Sequence, residues 1–317
     1  LSQFMLIGNL RLPESDAPHD PEGAVLDGRI AYGAQVVDQR VWAAPAGEDY
    51  MIGWDDWLAV QNGADVRCNS ALFGTATTAP TQRFMATPRD LATYVHDDAL
   101  YQAYLNACLI LLGMGAPLDP GFDDLSGSAL IDCGCNCGGL KPANATGFAL
   151  FGGPHILSLV TEVATRALKA VRFQKFNLHL SLRPEALAAR VAQAPALAAR
   201  FTGTPFAAHV EALAARVEPV AQAIAAHNTA QGGDALALLP MAFQEGSPMH
   251  PTYGAGHATV AGACVTVLKA FFDTTATFVR PDGTGAPVFR RPCEGDVAVA
   301  YEATPNGAAL VPFPLAG

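Results

Sequence analysis

The chain has 317 residues, of which 50% are hydrophobic and only 15% charged, and its formal net charge is −10. An acidic surface of this kind argues against nucleic acid and anionic membranes as partners. The longest apolar run, Ala107 to Leu112, is too short to span a bilayer, which predicts a soluble protein. The chain length and apolar content suffice for one large core or two modest ones.

The N-terminal part, residues 1–86, is predicted to be a lead-in of loops and short strands. Residues 29–37 and 40–43 are rich in β-favouring side chains, and turn-like residues separate the two segments.

Residues 87–273 are predicted to form an α-helical bundle, so the fold class is mainly α with short β-strands near the N-terminus. Thr87 is a suitable N-cap, and apolar residues follow it at helical spacing until Gly113. A second helix is predicted to start behind Pro154 and to run up to, or into, the segment that contains Lys175.

The second half of the bundle is rich in alanine. Residues 184–228 have helical composition, with an interruption at 202–205 and a kink predicted at Pro219. Residues 231–234 are predicted to be a loop. The last helix is predicted to begin near Gly256 and to turn these apolar residues inward: Val260, Cys264, Val267, Leu268 and Phe271.

The C-terminal part, residues 274–317, has a different composition. Eleven of the 37 residues from Pro281 to Gly317 are proline or glycine, and no helical period is present. This composition predicts a covering loop or a partly disordered tail.

Two stretches contain the residues suited to chemistry. The first runs from Lys175 to Glu185 as Lys-Phe-Asn-Leu-His-Leu-Ser-Leu-Arg-Pro-Glu, and the second has the sequence His250-Pro-Thr-Tyr-Gly-Ala-Gly-His257. A lysine, an arginine and a helix N-terminus are the groups that bind a tetrahedral oxyanion, and a histidine beside them can exchange a proton with a ligand oxygen. The residues alone therefore predict a site for phosphate or vanadate.

These motifs resemble those of the vanadium-dependent haloperoxidases, which share their site with the type 2 phosphatidic acid phosphatases. Longer strings, within residues 91–112, 157–172 and 238–243, resemble the red-algal bromoperoxidases and their cyanobacterial relatives. The resemblance covers the chain from about Ser2 to about Asp273. It implies a vanadate-dependent enzyme that oxidises bromide or iodide with hydrogen peroxide to a hypohalous acid, which halogenates small organic substrates.

The resemblance also assigns roles to individual residues. Lys175, Arg183, Gly256 and His257 match vanadate-binding positions, and the backbone N–H of the glycine is the donor there. His257 matches the acid–base histidine, and Lys175 is expected to polarise bound peroxide. His250 occupies a position at which bromoperoxidases have histidine and chloroperoxidases an aromatic residue, so it is expected to influence the choice of halide. His179, inside the first motif, is expected either to support the residues that contact the ligand or to be structural.

Two departures from the family pattern concern the site. Ala255 stands where many relatives have serine, so one hydroxyl donor is missing. The family completes its site with Arg-x-x-x-Gly-x-His, in which the histidine bonds vanadium directly, but no histidine follows His257. The absent start methionine and the end at Gly317 favour a sequence that stops short of this motif over a degenerate homologue.

Other ion sites and the cysteines give weaker signals. Asp123 and Asp124 lie on an acidic loop that could hold a structural calcium ion, with a solvated loop as the alternative. The cluster Cys133, Cys135 and Cys137 has neither zinc-knuckle nor redox spacing, so loop cysteines without a catalytic role are favoured over a zinc site or a local disulfide.

Two alternatives to the bromoperoxidase hypothesis stay open. The first is an acid phosphatase of the same superfamily, in which the phosphate would occupy the vanadate position. The second is an inactive or truncated homologue that lacks the final arginine and histidine. The resemblance further implies homo-oligomers and an extracytoplasmic or secreted location, which the sequence alone does not indicate.

Overall fold

The computed structural model describes residues 5–6, 29–66, 81–96, 98–113, 116–122, 147–284 and 288–314. These residues divide into two compact units. Unit 1 combines residues 1–42, 82–170 and 256–317, and unit 2 combines residues 43–81 and 171–255. Each unit is therefore assembled from segments that are distant in the chain.

The helices of unit 1 form its main apolar core. They are α2 (Pro88–His96), α3 (Gln102–Gly113), α4 (Gly153–Phe173) as far as Ala170, and α8 (Gly256–Phe271). The core cluster consists of Cys108, Ala116, Ile156, Val160, Ala164, Val260, Cys264, Phe271 and Phe272. It contains the predicted inward positions of the last helix at Val260, Cys264 and Phe271, with Val267 and Leu268 packed against it.

The strands of unit 1 lie at both ends of the chain. The described strands are β1 (Met5–Leu6), β2 (Arg29–Tyr32), β3 (Gln35–Asp38), β4 (Val41–Trp42), β5 (Gln82–Arg83), β6 (Thr277–Arg280), β7 (Val288–Arg290), β8 (Val297–Ala303) and β9 (Leu310–Pro314). The order of the largest sheet is β1-β8-β6-β7, with β9 on β8, and all of its pairs are antiparallel. Two further antiparallel pairs are the hairpin β2–β3 and the pair β4–β5, whose strands are distant in the chain.

The sheet changes the interpretation of the C-terminal segment. The prediction of a loop or disordered tail differs from the structure, in which residues 277–314 contribute four strands. Val299 and Tyr301 alternate along β8 and are buried on one face. The described prolines and glycines of this segment lie in turns and loops or in β9, which pairs only with β8, so composition concealed the period-two pattern of β8.

Unit 2 contains the remaining helices. They are α1 (Trp54–Gln61), a π-helical segment (Gln174–His179) that continues α4, α5 (Pro184–Ala192), α6 (Ala194–Arg200) and α7 (Pro205–Ala230). Its core cluster is Met51, Trp57, Val60, Ala189 and Leu238. Helix α7 continues through Pro219, and the predicted loop at residues 231–234 is present.

Helix α1 lies in the part of the chain for which strands and loops were predicted. Gly53 at its N-cap offers no side chain, and the carboxylate of Asp234 accepts a 2.6 Å hydrogen bond from the Trp54 N–H instead. The cap residue is 180 positions away in the sequence. A local pattern could not have indicated a helix that depends on such a distant cap.

Candidate functional site

Lys175 lies on the π-helical segment at the end of α4. The segment ends at Leu180, whose left-handed backbone (φ 47°) lets its N–H donate to the Lys175 carbonyl at 3.0 Å. The side chain of Lys175 is buried, and the residue is only 5% exposed. A buried ammonium group requires polar partners, and these come from the loop around residue 250.

Lys175 Nζ donates a hydrogen bond to the Pro251 carbonyl at 2.8 Å, and it lies 3.3 Å from Nδ1 of His250. The Thr252 N–H donates to the Ser181 carbonyl at 3.1 Å, so the same loop is also attached through its backbone. Burial, and secondarily the nearby charge of Arg183, lowers the pKa of Lys175 from its ordinary value. An anion bound beside these two cations would restore the preference for the charged lysine.

Arg183 is the N-cap residue of α5, immediately before Pro184. Its Nε is buried and, within the described part of the chain, has no hydrogen-bond partner. The nearest carboxylate oxygen, on buried Glu185, lies 4.0 Å away, which is too far for a hydrogen bond. A buried unpaired donor beside a buried lysine fits an oxyanion ligand, because such a ligand would satisfy both.

Gly256 and His257 belong to unit 1, where they begin α8. Among the residues that the structure describes, the nearest atom that a Cβ at Gly256 would meet is Leu168 Cδ1, at 4.0 Å. Packing within the protein therefore does not require glycine here. The first N–H groups of α8 have no partner inside the helix, which suits them to an anion.

His257 is paired with a carboxylate that the sequence motifs did not indicate. Its Nε2 lies 3.2 and 3.3 Å from the two carboxylate oxygens of Asp98, which follows α2. The only sequence signal was the acidic pair Asp97-Asp98, directly after His96, within residues 91–112, which resemble the red-algal bromoperoxidases. The partnership joins residues 159 positions apart, so spacing could not reveal it.

The other predicted site residues divide between the two units. Unit 2 brings together Lys175, Arg183 and His250, and the ring of His179 packs edge-to-face on Tyr253 with centroids 4.7 Å apart. Gly256 and His257 are described only within unit 1. The predicted structural role of His179 stays a prediction.

The C-terminal arginines already have carboxylate partners. Arg290 pairs with Asp296 at 2.7 Å, and Arg291 pairs with Asp273 at 2.6 Å. These pairs link β7 and the residue after it to the rest of unit 1, so both arginines are poorly suited to take the place of the arginine in the family's Arg-x-x-x-Gly-x-His motif.

The remaining ion and cysteine predictions lie mostly outside the described residues. Asp123, Asp124 and the cysteine cluster at residues 133–137 are among them. In the described ranges, no group of three or more histidine, cysteine, aspartate or glutamate side chains could hold a metal ion. The same ranges contain no helix that is long and apolar enough to cross a membrane.

Comparison with known proteins identifies the family. The chain is 45% identical to a vanadium-dependent bromoperoxidase of Corallina pilulifera over 286 aligned residues, which cover 86% of this chain. A vanadium-dependent bromoperoxidase of Ascophyllum nodosum is 32% identical over 78% of the chain. The chain belongs to the vanadium-dependent haloperoxidase family. No protein-family model matches it.

The fold agrees with that of a solved haloperoxidase. The homohexameric structure of the second vanadate-dependent bromoperoxidase from Ascophyllum nodosum matches 92% of this chain with a TM-score of 0.61, at 23% identity. The mainly helical fold class is thereby confirmed. The chain spans 44% of the Corallina pilulifera haloperoxidase and 42% of the Ascophyllum nodosum relative, so it corresponds to less than half of either protein.

Proposed function

We propose that this chain supplies the lysine, first arginine and acid–base histidine of a vanadate-dependent bromoperoxidase. The enzyme would oxidise bromide or iodide with hydrogen peroxide to hypohalous acid, which halogenates small organic compounds. The observation that carries the proposal is a buried lysine beside an arginine whose Nε atom is buried, both in unit 2. Lys175 is held by the Pro251 carbonyl, and the buried Nε donor of Arg183 has no hydrogen-bond partner among the residues that the structure describes.

Four residues that match the family motif would hold vanadate: Lys175, Arg183, Gly256 and His257. When bound, vanadate supplies a Lewis acid that activates hydrogen peroxide. Lys175 and Arg183 would neutralise negative charge and donate hydrogen bonds to its oxygens, and the backbone N–H of Gly256 would add a neutral donor.

His257 would exchange the proton. The Asp98 carboxylate accepts from Nε2, which holds the ring in place and leaves Nδ1 to exchange a proton with a ligand oxygen. With Nε2 hydrogen-bonded to a carboxylate, the second nitrogen becomes the better base. In this arrangement Nε2 would hold the ring in position, and Nδ1 would exchange the proton.

The test is bromination of a 1,3-diketone by the purified chain with hydrogen peroxide and bromide, with and without orthovanadate. We expect vanadate-dependent bromination that is abolished in Lys175→Met and retained in Lys169→Met, since Lys169 is exposed on the same helix. Turnover without added vanadate in metal-free buffer would contradict the proposal. Hydrolysis of phosphate esters without bromination would identify the phosphatase alternative.

The chain alone lacks the final arginine and histidine of the family motif, so direct binding is a separate measurement. Titration with orthovanadate, followed calorimetrically, reports whether the residues present hold the oxyanion without requiring turnover. We expect binding that Arg183→Met weakens by at least about tenfold, because an arginine–oxyanion hydrogen bond contributes roughly 1.5–3 kcal/mol. A folded chain with no measurable binding would favour an inactive homologue.

A homo-oligomeric assembly is also proposed. The solved relative is described as a homohexamer, and several large apolar side chains of unit 2 are exposed. They include Phe173, Phe176, Leu178, Leu180, Leu182 and Met249. Exposed apolar side chains in this number suit subunit contacts. Light scattering after size exclusion measures the mass, and a monomer at micromolar concentration would contradict the proposal.

An extracytoplasmic or secreted location is proposed as well. Cys293 is disulfide-bonded in the structure, and disulfides persist in oxidising compartments. Mass spectrometry of a non-reduced digest of protein from its source would detect the linkage.

A structural calcium ion at Asp123 and Asp124 stays a prediction from the acidic loop, which calcium titration of the chain would test.

A further inference from the structure

A buried carboxylate holds the start of α2. Asp90 is fully buried, and Arg83 donates to its Oδ1 from Nε at 3.2 Å and from a terminal nitrogen at 2.6 Å. The backbone N–H groups of Ala86 and Thr87 donate to its Oδ2, each at 3.1 Å. The Asp90 N–H in turn donates to the Thr87 hydroxyl at 3.2 Å, which completes a capping box. One side chain therefore joins β5, the segment before α2 and the first turn of the helix.

This network is the main attachment of α2. The side chains that are buried in the helix, all of which the structure describes, are those of Asp90 and Thr93, and both are polar. Thr93 donates to the Arg89 carbonyl of its own helix, so it does not link α2 to another element. Leu91 is 39% exposed. Because apolar side chains of α2 are at most partly buried, the position of the helix depends largely on the Asp90 network.

Arg83 is itself held by the C-terminal sheet. The next residue, Phe84, donates its N–H to the Gly307 carbonyl at 2.8 Å. Gly307 lies in the turn between β8 and β9 and has a φ of 68°. A Cβ atom there would come within 2.9 Å of Arg83 Cδ, so the turn packs directly against the stem of the arginine. The guanidinium group is thus fixed from the side opposite to α2.

Helix α2 connects this network to the candidate site. Asp98 follows the helix, eight positions after Asp90, and its carboxylate lies 3.2 Å from Nε2 of His257. At 1.5 Å per residue, eight positions of helix correspond to about 12 Å. The two aspartates are therefore too far apart to interact directly, but one short helix joins them. Arg83, α2 and His257 all belong to unit 1.

We infer that Arg83 is a positioning residue for the acid–base histidine: it fixes Asp90, and through α2 it sets the place of Asp98 against His257. Without the guanidinium group, a fully buried carboxylate loses its charged partner, and the start of α2 must move to bring that carboxylate to water. The contact between Asp98 and His257 should weaken as a result. The inference deepens the proposed function, on which its catalytic significance rests.

The first measurement is long-range proton–nitrogen NMR correlation of the His257 ring, recorded without vanadate on the chain with ¹⁵N-labelled histidine. The variant His257→Gln identifies its signals among those of the eight histidines. Asp98→Ala defines where these signals lie when the contact is lost. We expect Arg83→Met to move them at least half of the way to that position at the same pH. A purely stabilising role of Arg83 would leave them in place.

The second measurement is a double-mutant cycle between Arg83→Met and Asp98→Ala, followed by urea unfolding. Substitutions this far apart that share no partner usually have additive effects, to within about twofold in the unfolding constant. If Arg83 acts through Asp98, the effect of Asp98→Ala should be at least about threefold smaller in the Arg83→Met background. Arg166→Met is the matched control: it removes an exposed arginine of α4 that is paired with Glu162. It should leave the His257 signals unmoved and combine additively with Asp98→Ala.

Arg83→Lys provides a second variant in case Arg83→Met does not fold. It keeps the charge but loses the planar pair of donors, so it should move the His257 signals in the same direction by a smaller amount. Unmoved signals in either folded variant, or additive effects in the cycle, would overturn the inference. Fast amide exchange at Ala86 and Thr87 in the wild type would also overturn it, because the network would then be absent in solution. Neither vanadate nor turnover is needed, so a lack of bromination would contradict only the proposed function.

Discussion

Asp98 and His257 form a carboxylate–imidazole pair, with Nε2 of the histidine 3.2 Å from one carboxylate oxygen. The Asp98 side chain is 7% exposed, while that of His257 is 47% exposed. A nearly buried carboxylate thus holds a partly exposed ring. This arrangement orients the imidazole while leaving one face accessible to a ligand.

Replacement of Asp98 by asparagine is expected to reduce bromination without unfolding the protein. The amide keeps the shape but can donate to Nε2, which would favour the wrong tautomer of His257. Partners of this kind typically affect activity by about 10–100-fold, and we expect a loss of that order in kcat of the vanadate-loaded protein.

The matched control for this change is Glu211→Gln, which neutralises an exposed carboxylate on α7. Both variants should retain the wild-type circular dichroism spectrum. Equal kcat for wild type and Asp98→Asn would show that the pair does not assist His257.

Ala255→Ser is expected to strengthen vanadate binding. The serine would restore the hydroxyl donor that many relatives have at this position. A hydrogen bond to a charged group contributes roughly 1.5–3 kcal/mol, so the dissociation constant should fall about tenfold or more. Calorimetric titration with orthovanadate measures the change, and Ala258→Ser, at an exposed position in α8, serves as the control. An unchanged affinity would mean that the hydroxyl does not reach the ligand.

Gly256→Ala separates folding from binding. Within the described ranges a methyl group there meets only Leu168, at 4.0 Å, and the backbone does not have the left-handed φ that disfavours alanine. Alanine stabilises helices relative to glycine by up to about 1 kcal/mol, so the melting temperature should be unchanged or higher. Vanadate affinity should nevertheless fall by at least about tenfold if the glycine N–H contacts an oxyanion closely.

The matched control for Gly256→Ala lies in the same helix. A Cβ atom at Gly262 meets nothing within 4 Å, so Gly262→Ala should raise stability by a similar amount and leave vanadate affinity unchanged. Equal affinities for Gly256→Ala and the wild type would remove Gly256 from the proposed site.

Asp273 is expected to make stability depend on pH in the acid range. Burial alone would raise its pKa, but hydrogen bonds from Thr275 and Arg291 and the arginine charge hold the pKa below its ordinary value. The contribution of the Asp273 carboxylate to the free energy of unfolding is therefore fully present above its unfolded-state pKa of about 3.9. It is lost as the pH falls through its folded-state pKa.

The variant Asp273→Asn should lower the free energy of unfolding at pH 7 by about 1–3 kcal/mol. Its deficit relative to the wild type should shrink as the pH falls below about 4, as measured by urea unfolding across pH. Arg291→Met should cost less, because 57% of that side chain is exposed, and it should not change vanadate affinity. If the stability deficit of Asp273→Asn grew towards low pH, the stabilising role assigned to the Asp273 carboxylate would be contradicted.

Much of the helical architecture and the family could be predicted from local sequence. Periodicity indicated α4 and α8, and the loop between α7 and residue 235 followed from glycine composition. The spacing of Lys175, Arg183 and His257 indicated an oxyanion site because that chemistry requires cations, free N–H groups and a proton donor in a recognisable order.

Partner choice could not be predicted in the same way. The Pro251 carbonyl binds Lys175, Asp98 binds His257 and Asp234 caps α1, and each pair joins segments far apart in the chain. The C-terminal strands were missed because prolines and glycines at their ends outweighed the short alternating pattern of β8.

By itself, the sequence determined which residue types are available for the chemistry and which segments favour helices, because helical periodicity and motif spacing depend on near neighbours. Only the tertiary structure decided that Lys175 is buried against a carbonyl and that the Arg183 Nε finds no hydrogen-bond partner in the described part of the chain. Burial and hydrogen-bond pairing arise when distant segments exclude water together, so no local pattern contains them.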